Sequence, residues 1–242
     1  MFKVFFYLVA VLGFVSAEVP SYIKTCGRRD PNLDKCVLDI VESLKDKLKK
    51  GLPDLDIPPL EPLHIDKIPF TDMPNFKSSA FDLSLHGLSN YSVNYLHIDL
   101  EKKHVELDVS FKEIRIDGQY DVDAKILVPV VGKGPLHLIA HDTNAKVTSN
   151  FKFIERGGKK YFFLPSMTTR LTVKDYITEY DTQDVQSTPL REAITQALGN
   201  SHKEVIAAVT PSLEKVVSER ILQTANKMLK HFTFDEILPD HE

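Results

Sequence analysis

The residue types that could do covalent or metal chemistry are present in this chain, but not at the spacings such chemistry needs. His137 and His141 stand four apart, yet Leu138, Ile139 and Ala140 between them supply no glutamate of the metalloprotease kind. Their surroundings alternate like a strand, in which positions four apart lie about 13 Å from each other, so no metal site is expected. Gly132-Lys133-Gly134 lacks the third glycine of a phosphate cradle and runs into strand-like alternation, so a turn is expected there. Asp121 and Asp123 fall on the polar side of an alternating run and read as a solvated face, not an acid–base pair. No Gly-x-Ser-x-Gly elbow occurs, and the remaining histidines are scattered. These absences point away from an enzyme and from any cofactor.

Two covalent modifications are legible. Asn90-Tyr91-Ser92 satisfies the N-glycosylation pattern, with a plain turn as the alternative. Cys26 and Cys36, the two cysteines of the chain, suit a disulfide in an oxidising compartment, the alternative being a catalytic or metal-binding thiol. The compartment is indicated by residues 1–17, a charged start, an apolar run from Val4 to Val15 and small residues before Glu18, which together describe a secretory signal peptide; an uncleaved anchor is the alternative. A net charge of -4 with no long run of one sign excludes a nucleic-acid footprint. The mature chain is therefore read as extracellular, monomeric and not stably inserted in a membrane.

The element that must position everything else is a long amphipathic helix from Thr188 to Phe232. Its apolar residues, among them Val209, Leu213, Val216, Ile221 and Met228, recur three or four apart. Neighbours such as Val217 and Leu222 widen the stripe, so the helix needs an enclosing partner. Pro211 lacks the N–H that would bond to residue 207, so a kink or restart is expected there. A shorter helix is expected over Lys35–Lys50, with Asp34 as cap and Gly51 as stop. Six prolines between Leu52 and Pro74 predict an extended strap and argue against a central strand.

The enclosing partner comes from runs of period two. Leu96, Ile98 and Leu100 alternate with polar neighbours, as do Val105, Leu107, Val109 and Phe111, and then Ile114, Ile116, Gly118, Tyr120, Val122 and onward to Val130. The last run exceeds the usual strand severalfold, which implies strong twist and curvature. Leu136, Leu138, Val147, Phe151 and Phe153 follow, then a Gly157-Gly158 turn, then Tyr161, Phe163, Leu171 and Val173. Sequential strands with short turns form an antiparallel meander. The fold class is α+β: a strongly curved antiparallel β-sheet wrapped around a long C-terminal α-helix, in one domain over residues 18–242.

The strap Gly51-Leu52-Pro53-Asp54-Leu55-Asp56-Ile57-Pro58-Pro59-Leu60-Glu61-Pro62-Leu63-His64-Ile65-Asp66 resembles that of the insect takeout and juvenile hormone binding protein family. So does Asp117-Gly118-Gln119-Tyr120-Asp121-Val122-Asp123-Ala124-Lys125 running into Gly132-Lys133-Gly134-Pro135, as does the closing Phe234-Asp235-Glu236-Ile237-Leu238-Pro239. The resemblance covers the whole mature chain. It implies a secreted fold of the tubular lipid-binding superfamily, in which sheet and helix enclose an apolar tunnel for a small lipophilic ligand. It also implies, loosely, roles in circadian output, feeding, chemosensation or hormone physiology.

The expected ligand is a terpenoid hormone or a fatty acid-like lipid, carried without a metal or cofactor. Inward positions expected to line the tunnel are Leu96, Ile98, Leu107, Val109, Ile116, Tyr120, Val122, Leu138, Phe151, Phe163, Val209, Leu213, Val216 and Met228. About 15 buried carbons at roughly 0.8 kcal/mol each give on the order of 12 kcal/mol, against an association cost of about 4 kcal/mol or more. Apolar burial alone therefore supports micromolar binding. The rival expectation is an extracellular interaction protein with a solid core and no transported ligand.

Overall fold

A computed structural model describes residues 19–73, 76–125, 129–178 and 202–240. The signal segment, Ile126 and Val128, and the first part of the expected long helix lie outside the described residues. Within them, helices α1 (Leu33–Ser43) and α2 (Lys45–Lys50) precede six strands: β1 (Leu63–Met73), β2 (Phe76–His86), β3 (Ser92–Asp99), β4 (His104–Lys125), β5 (Pro129–Arg156) and β6 (Lys159–Thr178). Helix α3 (His202–Leu229) and a final turn, α4 (Phe234–Ile237), complete the order.

The strands form one antiparallel sheet in the order β1-β2-β4-β5-β6, with β3 paired to the first half of β4. β4, β5 and β6 run for 22, 28 and 20 residues. Strands of that length twist so far that the sheet curls into a half-barrel. Bulges sharpen the curl. β1 shifts register between Pro69 and Thr71, and β2 between Phe81 and Ser84, where Asp82 takes a left-handed φ of 51°. β4 and β5 change phase together: Phe111 faces Thr143 and Ile114 faces Ala140, and the intervening Asp142 has φ 46°. Inward positions therefore switch from odd to even numbers along β4, which is how one continuous strand serves both halves of the curve.

Helix α3 spans the opening between the two free edges of this half-barrel. Its polar residues satisfy edge backbone groups that no described strand reaches. Asn226 accepts from Leu164 N at 3.0 Å and donates to Leu164 O at 2.9 Å. Ser218 Oγ accepts from Thr169 N at 2.9 Å, and Glu214 accepts from Leu171 N at 3.0 Å. At the opposite edge, Ser212 donates to Phe70 O of β1 at 3.1 Å. Residues 214, 218 and 226 are spaced by fours and eights, so they share one helical face that runs along β6. Leu213 and Val216 turn instead to the cluster of Ile68, Ala80 and Leu83.

The other end is plugged. Phe151, Phe153, Phe162 and Phe234 stack edge-on or tilted with centroids 4.8–5.8 Å apart, and Leu33 and the Cys26–Cys36 disulfide close over them. Next to it Leu52, Leu55 and Phe232 pack with Met228 and Leu48. The amino-terminal arm is tied to the far end of the sequence. Arg28 N donates to Pro239 O at 3.0 Å, Arg28 pairs with Asp235, its guanidinium lies 4.2 Å over the Phe234 ring, and Arg29 pairs with Asp240 at 2.7 Å.

Several local expectations are corrected. The proline strap contains a 3-10 turn at Pro53–Leu55 and then becomes strand β1. β1 tolerates Pro69 because it is an edge strand and the proline sits at its bulge. Gly132–Pro135 is not a turn: Gly132 pairs with Val122 and Gly134 with Tyr120 inside β5. The first helix breaks at Leu44, and Asp34 does not cap it but accepts from Ile98 N and pairs with His97 of β3, both at 2.8 Å. α3 runs through Pro211 without a restart; Thr210 donates to Ile206 O at 2.6 Å beside the lost bond. Strand β2 had no clean alternation to announce it, because its bulge breaks the period.

Candidate functional site

The candidate site is the concave face of the half-barrel, and the register explains which side chains reach it. On β5, Thr143, Ala145, Val147, Ser149 and Phe151 are buried while Lys146, Thr148 and Asn150 between them are exposed. Directly paired residues in an antiparallel sheet share a face. Val147 pairs with Leu107 and Thr169, Ala145 with Val109 and Leu171, and Leu107 with Leu96. Further along, Leu138 pairs with Ile116, and Ile116 with Leu85. Leu96, Ile98, Leu107, Val109, Ile116, Tyr120, Val122 and Leu138 therefore all belong to one concave wall.

That wall is apolar but not closed. Leu96, Leu107, Val109, Ile116, Tyr120, Val122 and Leu138 remain half-buried, as do Val209, Leu213, Val216 and Met228 on α3. A solid core would put such residues near full burial. The mid-wall also carries small side chains, Ala140 and Ala145, between the two bulkier ends. Leu213 and Val216 pack at the Ile68 end, and Met228 near Phe232 at the plugged end, so the helix touches both.

Two expected site residues stand elsewhere. Phe163 pairs with Lys152, whose ammonium lies 5.3 Å from its ring, and both belong to the convex face. Its neighbour Phe162 is the buried one, because the bulge between Asn150 and Lys152 moves the phase by one. Phe151 is on the concave side but only 4 % exposed within the aromatic plug. Sequence reasoning placed Val147 in the alternating run but not in the lining, and it passed over Thr143, Ala145 and Thr169, although alternation at period two would have found the first two.

Tyr120 illustrates how the wall is shaped. Its ring lies over Gly134, where an added Cβ would stand 2.9 Å from the ring, so glycine is needed for this aromatic to lie flat on the sheet. Burial pushes the Tyr120 hydroxyl up from its ordinary value. Gly118 likewise admits Leu83, whose Cδ2 would be 2.6 Å from a Cβ there.

A cavity of about 310 Å3 opens at the seam between α3 and β6, bordered by Met167, Thr169, Arg170, Pro211, Glu214 and Ser218. It lies on the flank of the barrel with charged groups at its rim, distinct from the apolar wall. Histidines and carboxylates meet on the convex face, His137 with Asp117 at 2.7 Å and His104 with Glu106 at 3.1 Å. Among the described residues, no three His, Cys, Asp or Glu converge to hold a metal ion. Asn90 is exposed at the end of a 3-10 turn, Leu88–Asn90. No described helix is long and apolar enough to cross a membrane.

Against known proteins, residues 4–239 match the profile of the family described as haemolymph juvenile hormone binding protein (JHBP). A relative from Drosophila melanogaster, circadian clock-controlled protein daywake, is 23% identical over 97% of this chain and 96% of its own. A putative beta-carotene-binding protein from Schistocerca gregaria is 21% identical over 90% and 88%. The crystal structure of Epiphyas postvittana Takeout 1 superposes with a TM-score of 0.73 at 18% identity, covering 89% of this chain and 99% of that one. The curled sheet and its closing helix are thus a shared fold.

Proposed function

Because this chain belongs to the haemolymph juvenile hormone binding protein family, a family of carriers for hydrophobic ligands, we propose that it is a secreted carrier of one small lipophilic molecule, a terpenoid or a fatty acid-like lipid. One observation carries the reading: the concave wall gathers apolar side chains from β3, β4, β5 and α3 and leaves them half-buried. Apolar surface in that state gains about 25 cal/mol for each Å2 a ligand removes from water. The ligand would lie along the wall, protected in transit, with the aromatic plug closing one end. Charge is not needed for this, and the described inward positions of β4, β5 and β6 hold no Lys, Arg or His.

Residues 18–242 act here as a single lipid-binding domain, delivered outside the cell by cleavage after residue 17. The disulfide Cys26–Cys36 is compatible with that compartment. The name of the circadian clock-controlled relative suggests a place in rhythmic physiology. Native mass spectrometry of the protein purified from a secreting insect cell line tests the proposal. A retained lipid, or uptake of a terpenoid or fatty acyl probe with micromolar affinity, is expected. A chain that stays ligand-free against a panel of both would leave the interaction-protein alternative standing.

A further inference from the structure

Two buried hydroxyls on the concave side have no hydrogen-bond partner among the described residues: Thr143 Oγ1 and Thr169 Oγ1. The residues are 6% and 2% exposed, and Thr169 is the largest fully buried side chain described. Their paired neighbours explain the vacancy of polar contacts. Thr143 sits between Phe111 and Val173, and Thr169 beside Val147, so the sheet offers neither an acceptor across the strands. Ser218, the nearest polar residue of α3 along β6, is already committed, accepting from Thr169 N and donating to Glu214 O at 2.6 Å. A buried hydroxyl without a partner is destabilising, and valine would fill the same volume without that cost. Such groups in a native structure call for a specific explanation.

Resting on the carrier reading, we infer that Thr143 and Thr169 are specificity residues that donate hydrogen bonds to an uncharged oxygen of the bound lipid. Rotation about χ1 carries Oγ1 among its three staggered positions, so the hydroxyl can turn to an acceptor that a ligand supplies. The ligand class follows from what the wall lacks. A carboxylate would enter as an uncompensated ion, because no inward described position of β4, β5 or β6 carries a cation, and one hydroxyl does not offset ion desolvation. A pure hydrocarbon gains nothing from either threonine. A ketone, ester, ether or alcohol oxygen on an apolar chain satisfies both conditions.

The experiment is displacement of a bound naphthylamine fluorophore from the full mature protein by three chains of matched length: heptadecane, 2-heptadecanone and palmitate. Wild type should prefer the ketone over the alkane by about fivefold, the value of one net neutral hydrogen bond, with palmitate weakest at neutral pH. Thr143→Val and Thr169→Val together should abolish that preference and leave heptadecane affinity unchanged. Thr143→Ser and Thr169→Ser, which keep the hydroxyl, should retain it. The valine variants should melt no lower than wild type, which separates a lost contact from a lost fold. A ketone preference that survives both valines, or alkane affinity that falls in parallel with ketone affinity, overturns the assignment and gives the threonines a packing role. Equal wild-type affinity for ketone and alkane also overturns it while the carrier reading stands, whereas displacement by none of the three removes the carrier reading itself.

Discussion

Replacing Asn226 with leucine tests whether side chains of α3 really serve as the missing neighbour of strand β6. The amide makes two hydrogen bonds to one residue, with Leu164 N at 3.0 Å and Leu164 O at 2.9 Å, as a paired strand would. Leucine keeps the branched shape and heavy-atom count of asparagine and is the bulkier of the two, so no cavity term enters. What is lost is about 1 kcal/mol of net stabilisation for each bond, plus about 1–3 kcal/mol for each backbone group left unsatisfied. The site is part-buried, so water recovers some of the second cost, and roughly 3 kcal/mol is expected overall. For a chain of this size that is a fall in Tm of about 9 °C. Urea unfolding should show a lower midpoint with the same slope, because the surface exposed on unfolding hardly changes. Ser218→Ala, which removes one bond to Thr169 N, should cost only about 1 kcal/mol. If Asn226→Leu costs less than Ser218→Ala, the edge is satisfied by solvent and the closing role of α3 fails.

Four further outcomes follow from the same geometry. Glu61 accepts from Gly87 N at 2.9 Å and Ser89 N at 2.8 Å; burial pushes its carboxyl up, but the N–H groups of Ser89 and Gly87 prevail and hold it below its ordinary 4.5. Its stabilisation is thus present above 4.5 and lost as pH falls through the lowered folded value, so urea midpoints of Glu61→Gln should depend less on pH than wild type in that acidic window. Gly134→Ala forces the Tyr120 ring off the sheet and should cost about 1–3 kcal/mol, recovered in part by adding Tyr120→Leu in a double-mutant cycle of thermal melts. Cys26→Ser with Cys36→Ser opens a small loop and should lower stability by roughly 3 kcal/mol, read by urea unfolding under non-reducing conditions. Pro211→Ala restores a helical N–H at an exposed position of α3 and should raise Tm; an unchanged or lower Tm would mean the proline is already accommodated without loss.

The parts of the fold that sequence made legible are those governed by short-range periodicity. The Gly157-Gly158 turn, the long alternating runs of β4 and β6, and the helical stripe through Leu213, Val216 and Met228 needed only local spacing. What stayed hidden depends on partners far away in the chain. β2 loses its alternation at Asp82, and only its pairing with both β1 and β4 makes it a strand. Pro69 argued only against a central strand, and the edge position that lets β1 include it depends on pairing with β2 alone. Asp34 looks like a cap in isolation, yet its oxygens go to His97 and Ile98, more than sixty residues on. The site was legible to the same degree. Concave positions such as Leu107 and Ile116 followed from parity, while Phe163 was misplaced by a one-residue bulge opposite it, and Thr143 and Thr169 were passed over because threonine on a strand looks solvent-facing.

The tie between Arg28 and the Asp235–Pro239 segment joins residues about 207–211 positions apart. During synthesis the amino-terminal arm therefore emerges with its docking site still unmade. Its own loop can close early, since Cys26 and Cys36 are only ten residues apart, but the oxidised arm must wait for α4 before it can seat. Contacts of such long range are the slowest to form, so the end of the barrel bearing the aromatic plug is the last to shut. Until then the apolar wall stands open, so on the carrier reading proposed above the interval before closure is when a lipid would be loaded.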